Sequence, residues 1–208
     1  MSLAELIRQD VLDLDPEPPR PPCPVPPWLL ILACSVTKAA GEGLIARDRY
    51  QGPLWQTLRA ADPDGGKAFV CFLSAKFGLG DARDVLPHYY RVLTDVDAER
   101  MVESGTSACY PELPRSSRMT MAAKLRVANR DGPQRSPSGV LTRLVRELGQ
   151  PFRDVAICGG HRYVRVASSW LADFRVMRQL AADAPVTIIN GPIGVMRARL
   201  RAWLAQQG

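Results

Sequence analysis

Two apolar runs of strand length in this chain end in the same chemistry, and that pairing limits the fold more than any other feature. Trp28-Leu29-Leu30-Ile31-Leu32-Ala33 runs into Cys34-Ser35-Val36-Thr37-Lys38. Phe69-Val70-Cys71-Phe72-Leu73 runs into Ser74-Ala75-Lys76-Phe77-Gly78. Continuous apolar runs with branched or aromatic content are what a parallel strand buried on both faces requires. Each run delivers a small hydroxyl residue and a lysine to the strand's carboxyl end, the edge where open α/β sheets bind ligands. Hydroxyls, free backbone N–H groups and a lysine suit an anion, phosphate above all.

Two further runs, Asp154-Val155-Ala156-Ile157-Cys158 and Val186-Thr187-Ile188-Ile189, deliver Gly159-Gly160-His161-Arg162-Tyr163 and Asn190-Gly191-Pro192-Ile193-Gly194. Between the runs, periodicity predicts helices over Pro53 to Ala61, Asp95 to Glu103, Ser138 to Leu148 and most of Val164 to Ala182. A basic last helix carries Arg197, Arg199 and Arg201. Strands alternating with helices predict an α/β fold, a three-layer α/β/α sandwich around a four-stranded, mostly parallel sheet. The sandwich is expected to span 28–208 as one domain. Residues 1–27 read as an arm, a short amphipathic helix over 2–12 followed by eight prolines from Pro16 to Pro27 that favour an extended spacer.

Composition excludes several classes. Of the 208 residues, 46% are hydrophobic and 23% charged, ordinary for a globular chain. No run approaches the roughly 18 apolar residues needed to cross a bilayer and no basic-then-apolar leader opens the sequence, so the expected location is the cytoplasm, with no membrane partner. The five cysteines are odd in number and widely spaced, and only His88 and His161 are available to join them, so no metal site is expected. Cys71 and Cys158, inside apolar runs, read as inert thiols, whereas Cys34 closes a strand where a thiol either packs or reacts. Neither Gly159-Gly160 nor Gly191-x-x-Gly194 is a dinucleotide or Walker fingerprint, and no nucleotide or other cofactor is expected. No Gly-x-Ser-x-Gly elbow occurs.

Net charge is +6. From 115 to 135, Arg115, Arg118, Lys124, Arg126, Arg130 and Arg135 face a single acid, Asp131. This basic insertion, about 110–139, is either a solvated excursion or a surface that tracks a nucleic-acid backbone with salt-dependent affinity. Asp48 and Tyr50 follow strand one, and the flanking Arg47 and Arg49 are expected to favour the ionised carboxylate. His161 either donates to a ligand or caps the next helix. Tyr89 and Tyr90 have the flat faces that stack on bases, with packing the competing role.

Together these residues resemble a bacterial and phage family related to the YaaA peroxide-stress proteins. The resemblance rests on Cys34-Ser35-Val36-Thr37-Lys38, Ala46-Arg47-Asp48-Arg49-Tyr50-Gln51-Gly52 and Leu73-Ser74-Ala75-Lys76-Phe77-Gly78-Leu79. Pro87-His88-Tyr89-Tyr90, Gly160-His161-Arg162-Tyr163 and Gly191-Pro192-Ile193-Gly194 complete it. It covers most of 28–204, without the arm or the basic insertion. The Cys34-Ser35-Val36-Thr37-Lys38 motif and the second-strand arrangement ending in Ser74-Ala75-Lys76 are also similar to the uracil-DNA-glycosylase-like domain of archaeosine synthase. That similarity implies a uracil-DNA-glycosylase-like fold with a base pocket on the carboxyl rim. The chain departs from the usual glycosylase pattern, in which an acid or asparagine directly follows strand one and a histidine follows the last strand. Asp48 lies well downstream, and Asn190 takes the histidine's place.

The resemblance implies a DNA N-glycosylase that flips a modified base out of phage DNA, an anti-phage excision leaving an abasic site. Asp48 would stabilise the sugar, Asn190, His161 and Tyr89 would read the base, and Ser35, Lys38, Ser74 and Lys76 would clamp phosphate. Cys34, Tyr50, Gly78, His88, Gly159, Gly160 and Tyr163 would complete the pocket, and Arg115, Arg118, Lys124, Arg126 and Arg130 would follow the DNA backbone. Two other expectations stand beside this one: a transferase that builds a base modification, and a non-enzymatic DNA-binding protein of the YaaA type.

Overall fold

The computed structural model describes residues 27–206, so nearly all of the expected arm lies outside the described residues. In chain order the elements are β1 (Trp28–Ala33), α1 (Ala46–Arg49), α2 (Pro53–Ala61), β2 (Phe69–Ser74) and β3 (Gly78–Asp81). There follow α3 (Asp95–Ser104), α4 (Met121–Ala128), α5 (Pro137–Leu148), β4 (Asp154–Cys158), α6 (His161–Ser169), α7 (Leu171–Val176), β5 (Val186–Ile189) and α8 (Ile193–Ala205). The strands form a five-stranded mixed, mostly parallel sheet of order β3-β2-β1-β4-β5.

β1 is central, pairing in parallel with β2 through Leu29↔Phe69 and with β4 through Leu29↔Val155. Its alternate side chains enter two separate cores. Leu30 and Leu32, with Val70, Phe72, Ala156 and Cys158, pack under α2 and α8. Leu29 and Ile31, with Cys71, Leu73, Val155 and Ile157, pack under α3, α5, α6 and α7. Helices therefore cover both faces, which is why the strands read as unbroken apolar runs. Among the described residues, no helix is long and apolar enough to cross a membrane.

The four-strand expectation is corrected by β3, which runs antiparallel to β2 with Ser74↔Gly78 and Cys71↔Asp81 in register. Gly78-Leu79-Gly80-Asp81 has a loop's composition, but its glycines serve close packing. At Gly78 (φ +61°) a Cβ would lie 2.5 Å from the Tyr110 ring, and at Gly80 one would lie 2.3 Å from the Phe72 ring. Asp81 is held by Arg83 and Arg143, and Asp84 by Arg135 and Arg143, which fastens this edge to α5.

The basic insertion leaves the body at Tyr110 and returns at Arg135, where the two residues exchange backbone hydrogen bonds of 2.8 Å. Between them α4 is capped by the Thr120 hydroxyl and buries only Ala128.

Two independent penalties meet at Gly78, a left-handed backbone and an occupied Cβ position. Gly78→Ala is expected to lower stability by roughly 2–4 kcal/mol, read as a fall in the urea midpoint. An unchanged midpoint would contradict this packing.

Candidate functional site

The chain leaves β1 towards β2 on one side and returns to β4 on the other, so the sheet's switch point lies between the carboxyl ends of β1 and β4. Gly159 makes the approach there close, since a Cβ on it would lie 2.6 Å from that of Ala33 and 3.3 Å from that of Tyr163. This lets α6 bring the Tyr163 hydroxyl to 3.3 Å from the Cys34 sulfur, across the crevice. Asn190, after β5, donates its amide to the Gly159 carbonyl at 2.8 Å and braces the same turn.

A second pair lies beside the first. Tyr50 and Tyr89, both buried, share a hydrogen bond of 2.6 Å between their hydroxyls. The Tyr89 hydroxyl also has Ser74 and Cys34 as hydrogen-bonding neighbours. Ser74 is fully buried, and its oxygen accepts from the N–H groups of Lys76 and Phe77, shaping the turn into β3. Three phenols, a thiol and a hydroxyl therefore form one connected polar cluster from three strand ends.

Two lysines flank Tyr89. The Lys38 ammonium lies 4.3 Å from the Tyr89 ring centroid and 5.8 Å from that of Tyr50, and donates to the Ser35 carbonyl at 2.7 Å. The Lys76 ammonium lies 5.7 Å from the Tyr89 ring and 5.2 Å from that of Phe77. Such contacts draw an ammonium to the face of an aromatic ring. Partial burial lowers the Lys38 pKa, while the electrostatic pull of Cys34 works the other way.

Burial raises the pKa of Cys34, outweighing the Tyr163 hydrogen bond and the charge of Lys38, which favour the thiolate. Burial also pushes up Tyr50, Tyr89 and Tyr163. At neutral pH the cluster is thus a set of uncharged donors beside two lysines, an arrangement suited to a partner that is or becomes anionic.

Three hollows run along this rim. One of about 280 Å³ is lined by Cys34, Ser35, Gly52, Pro53 and Ile193 among others. It shares Val36 with one of about 220 Å³ that contains Lys38 and Tyr90. That hollow shares Val92 with one of about 360 Å³ lined by Gly160, His161, Arg162 and Tyr163. The N-termini of α2, α6 and α8 contribute to these walls, and none has a side-chain cap. Their unpaired N–H groups add partial positive charge.

Other residues named from the sequence lie elsewhere or act differently. Asp48 is exposed on α1 and lines a separate cavity of about 410 Å³ with Phe69, Val70 and Asp81, beside the start of β2. Neither flanking arginine pairs with it: Arg47 donates to the carbonyls of Asp62 and Pro63, and Arg49 turns inward. Ser35 is packed against Gly52, Gly78 serves the hairpin, and His88 is exposed. His161 opens α6, and the N-cap position belongs to Gly160. Arg115, Arg118, Arg126 and Arg130 are exposed on the insertion with Lys124 half-buried, and Arg115 lies 3.9 Å from Glu112.

The buried role of Arg49 escaped the sequence reading. Fully buried, it donates Nε and Nη2 to the Leu86 carbonyl at 3.1 and 2.9 Å, and Nη1 to the Ala39 carbonyl at 2.6 Å. An arginine beside the apolar Tyr50 was the available signal, but sequence alone gives no burial.

Compared with known proteins, the chain matches no family model, no curated protein and no solved structure.

The site's state is open to measurement. Because its pKa lies above the usual 9.0, Cys34 remains a neutral thiol at pH 8 and reacts slowly. Peptide-resolved iodoacetamide labelling should find it modified well after the exposed Cys109, with a steep rise only above pH 9. Labelling of Cys34 ahead of Cys109 at pH 8 would mean that the thiolate is already present.

Proposed function

We propose that this protein is a DNA N-glycosylase-like enzyme that excises a modified base at the cluster joining Cys34, Tyr50, Tyr89 and Tyr163. The observation that carries the reading is the placing of Lys38 and Lys76 about Tyr89, at the carboxyl ends of parallel strands. A finer fold assignment belongs with it. Four parallel strands, helices on both faces and a site on the carboxyl rim suit a uracil-DNA-glycosylase-like sandwich, with β3 added at one edge.

In this reading a nucleotide leaves the DNA stack, at a cost of a few kcal/mol, and its base enters the rim. The bond between C1′ of the sugar and the base nitrogen breaks with its electron pair departing on the base. The growing negative charge is met by the Lys38 ammonium and the neutral phenols, fixed donors that need no reorganisation. Water adds to C1′, its proton ends on the base, and an abasic site remains. The carboxylate role expected of Asp48 is replaced by this stabilisation of the departing base, since Asp48 lines another cavity. Asn190, tied to Gly159, takes a positioning role. The exposed arginines of the insertion supply sequence-independent attraction to phosphate.

Product analysis on normal and phage-modified DNA tests the proposal. Free base and alkali-labile abasic sites are expected from modified DNA. Lys38→Ala and Tyr89→Phe should each lose roughly 10²-fold or more in single-turnover rate, while Asp48→Asn keeps the rate. A heavier base would mean a transferase, and bound but unaltered DNA a non-enzymatic binder; either overturns the reading.

A further inference from the structure

Residues 86–93 form an irregular segment between β3 and α3 in which Leu86, Tyr89 and Leu93 are buried while His88, Tyr90, Arg91 and Val92 are exposed. Tyr89 points into the cluster described above and is 4% exposed, whereas its neighbour Tyr90 is 85% exposed. The exposed His88 ring meets Tyr90 edge-on at 4.7 Å between centroids, with an interplanar angle of 68°. Val36 and Val92 are exposed nearby and line the same hollow as Tyr90. An exposed aromatic and two exposed valines beside a polar site form a surface that water covers poorly.

Among the described residues, the charged side chains that line this hollow are cationic. Lys38 and Arg91 complete the lining of the hollow, to which no carboxylate belongs among the described residues. Asp97 holds the Arg91 guanidinium at 2.9 Å, and its carboxylate also accepts from the Thr94 hydroxyl, so Arg91 is fixed in place. An aromatic face bordered by cations matches single-stranded nucleic acid, in which bases stack and phosphates pair with lysine and arginine. A second copy of this chain would bring its own excess of positive charge, +6 overall, to the same surface.

Continuity with the site narrows the choice further. Lys38 lies in this hollow and also over the Tyr89 ring. A strand with one base in the cluster would therefore carry its next phosphate past Lys38 and its next base over Tyr90. We infer that Tyr90, edged by His88, is a stacking platform for the nucleobase adjoining the one in the site, so that the protein engages an unpaired stretch of strand. This rests on the nucleobase reading of the site and adds to it a preference for single-stranded or locally opened DNA.

Binding measurements test the inference without requiring catalysis. Fluorescence anisotropy with a single-stranded oligonucleotide carrying the modified base compares wild type, Tyr90→Ala and Tyr90→Phe. A second oligonucleotide lacks the base at the adjoining position. Tyr90→Ala is expected to weaken binding by about 5- to 150-fold, and Tyr90→Phe to bind as wild type. Removing the adjoining base should weaken wild type by a similar factor and Tyr90→Ala hardly further, because both changes delete one contact. Equal affinities of wild type and Tyr90→Ala, fully additive losses, or absence of single-strand binding would overturn it. So would a dimer that Tyr90→Ala dissolves, which would place a second copy on the patch. If the affinities behave as expected but no base is released, only the excision reading falls.

Discussion

A single buried guanidinium fixes the geometry on which the candidate site depends. Arg49 has no solvent exposure, and its partners are the carbonyls of Ala39 and Leu86. A buried charge without partners costs several kcal/mol, so those carbonyls have to stay where they are. The Ala39 N–H in turn donates to the Arg49 carbonyl at 2.8 Å. Three stretches of chain are thereby tied together: the loop that carries Lys38, the helical turn that ends at Tyr50, and the irregular segment that leads to Tyr89. The 2.6 Å bond between the two tyrosine hydroxyls follows from that tie.

The site's electrostatics follow from its place in the sheet. Lying where the chain reverses direction across β1, it takes side chains from loops far apart in sequence, as Cys34 and Tyr163 show. Its hydroxyls and thiol are kept neutral by burial, so the lysines dominate its potential. In a partly dry setting, fixed charges and dipoles act more strongly on a ligand than they would in water. A surface with this sign suits both parts of the proposed function, attraction of nucleic acid and stabilisation of a departing base.

Much of this was legible in the sequence, for physical reasons. Strands buried on both faces must be continuously apolar, and β1 and β4 have the bounds their runs predict, while β2 gains only Ser74. β5 also keeps its bounds, but as an edge strand with Thr187 and Ile188 exposed. Cys34, Lys38, Tyr50, Ser74, Tyr89 and Tyr163 were all named, and the fold gathers them. β3 was not legible, because glycine reads as a turn and its close approach to Phe72 and Tyr110 exists only in three dimensions. Asp48 was misplaced by adjacency: two residues along a helical turn point roughly 200° apart, so Tyr50 enters the core while Asp48 faces away. Arg49 was read as a partner for that carboxylate when it serves backbone carbonyls.

The central claim is that DNA binds along the carboxyl rim and not in the larger cavity beside the start of β2. Amide hydrogen exchange of the full chain, with and without a modified single-stranded oligonucleotide, reads this directly. The account predicts slowed exchange in 34–38, 88–93 and 159–163, with 63–65 and 81–84 unchanged. Protection confined to 47–48, 63–65 and 81–84, around the cavity that Asp48 and Asp81 line, would contradict it.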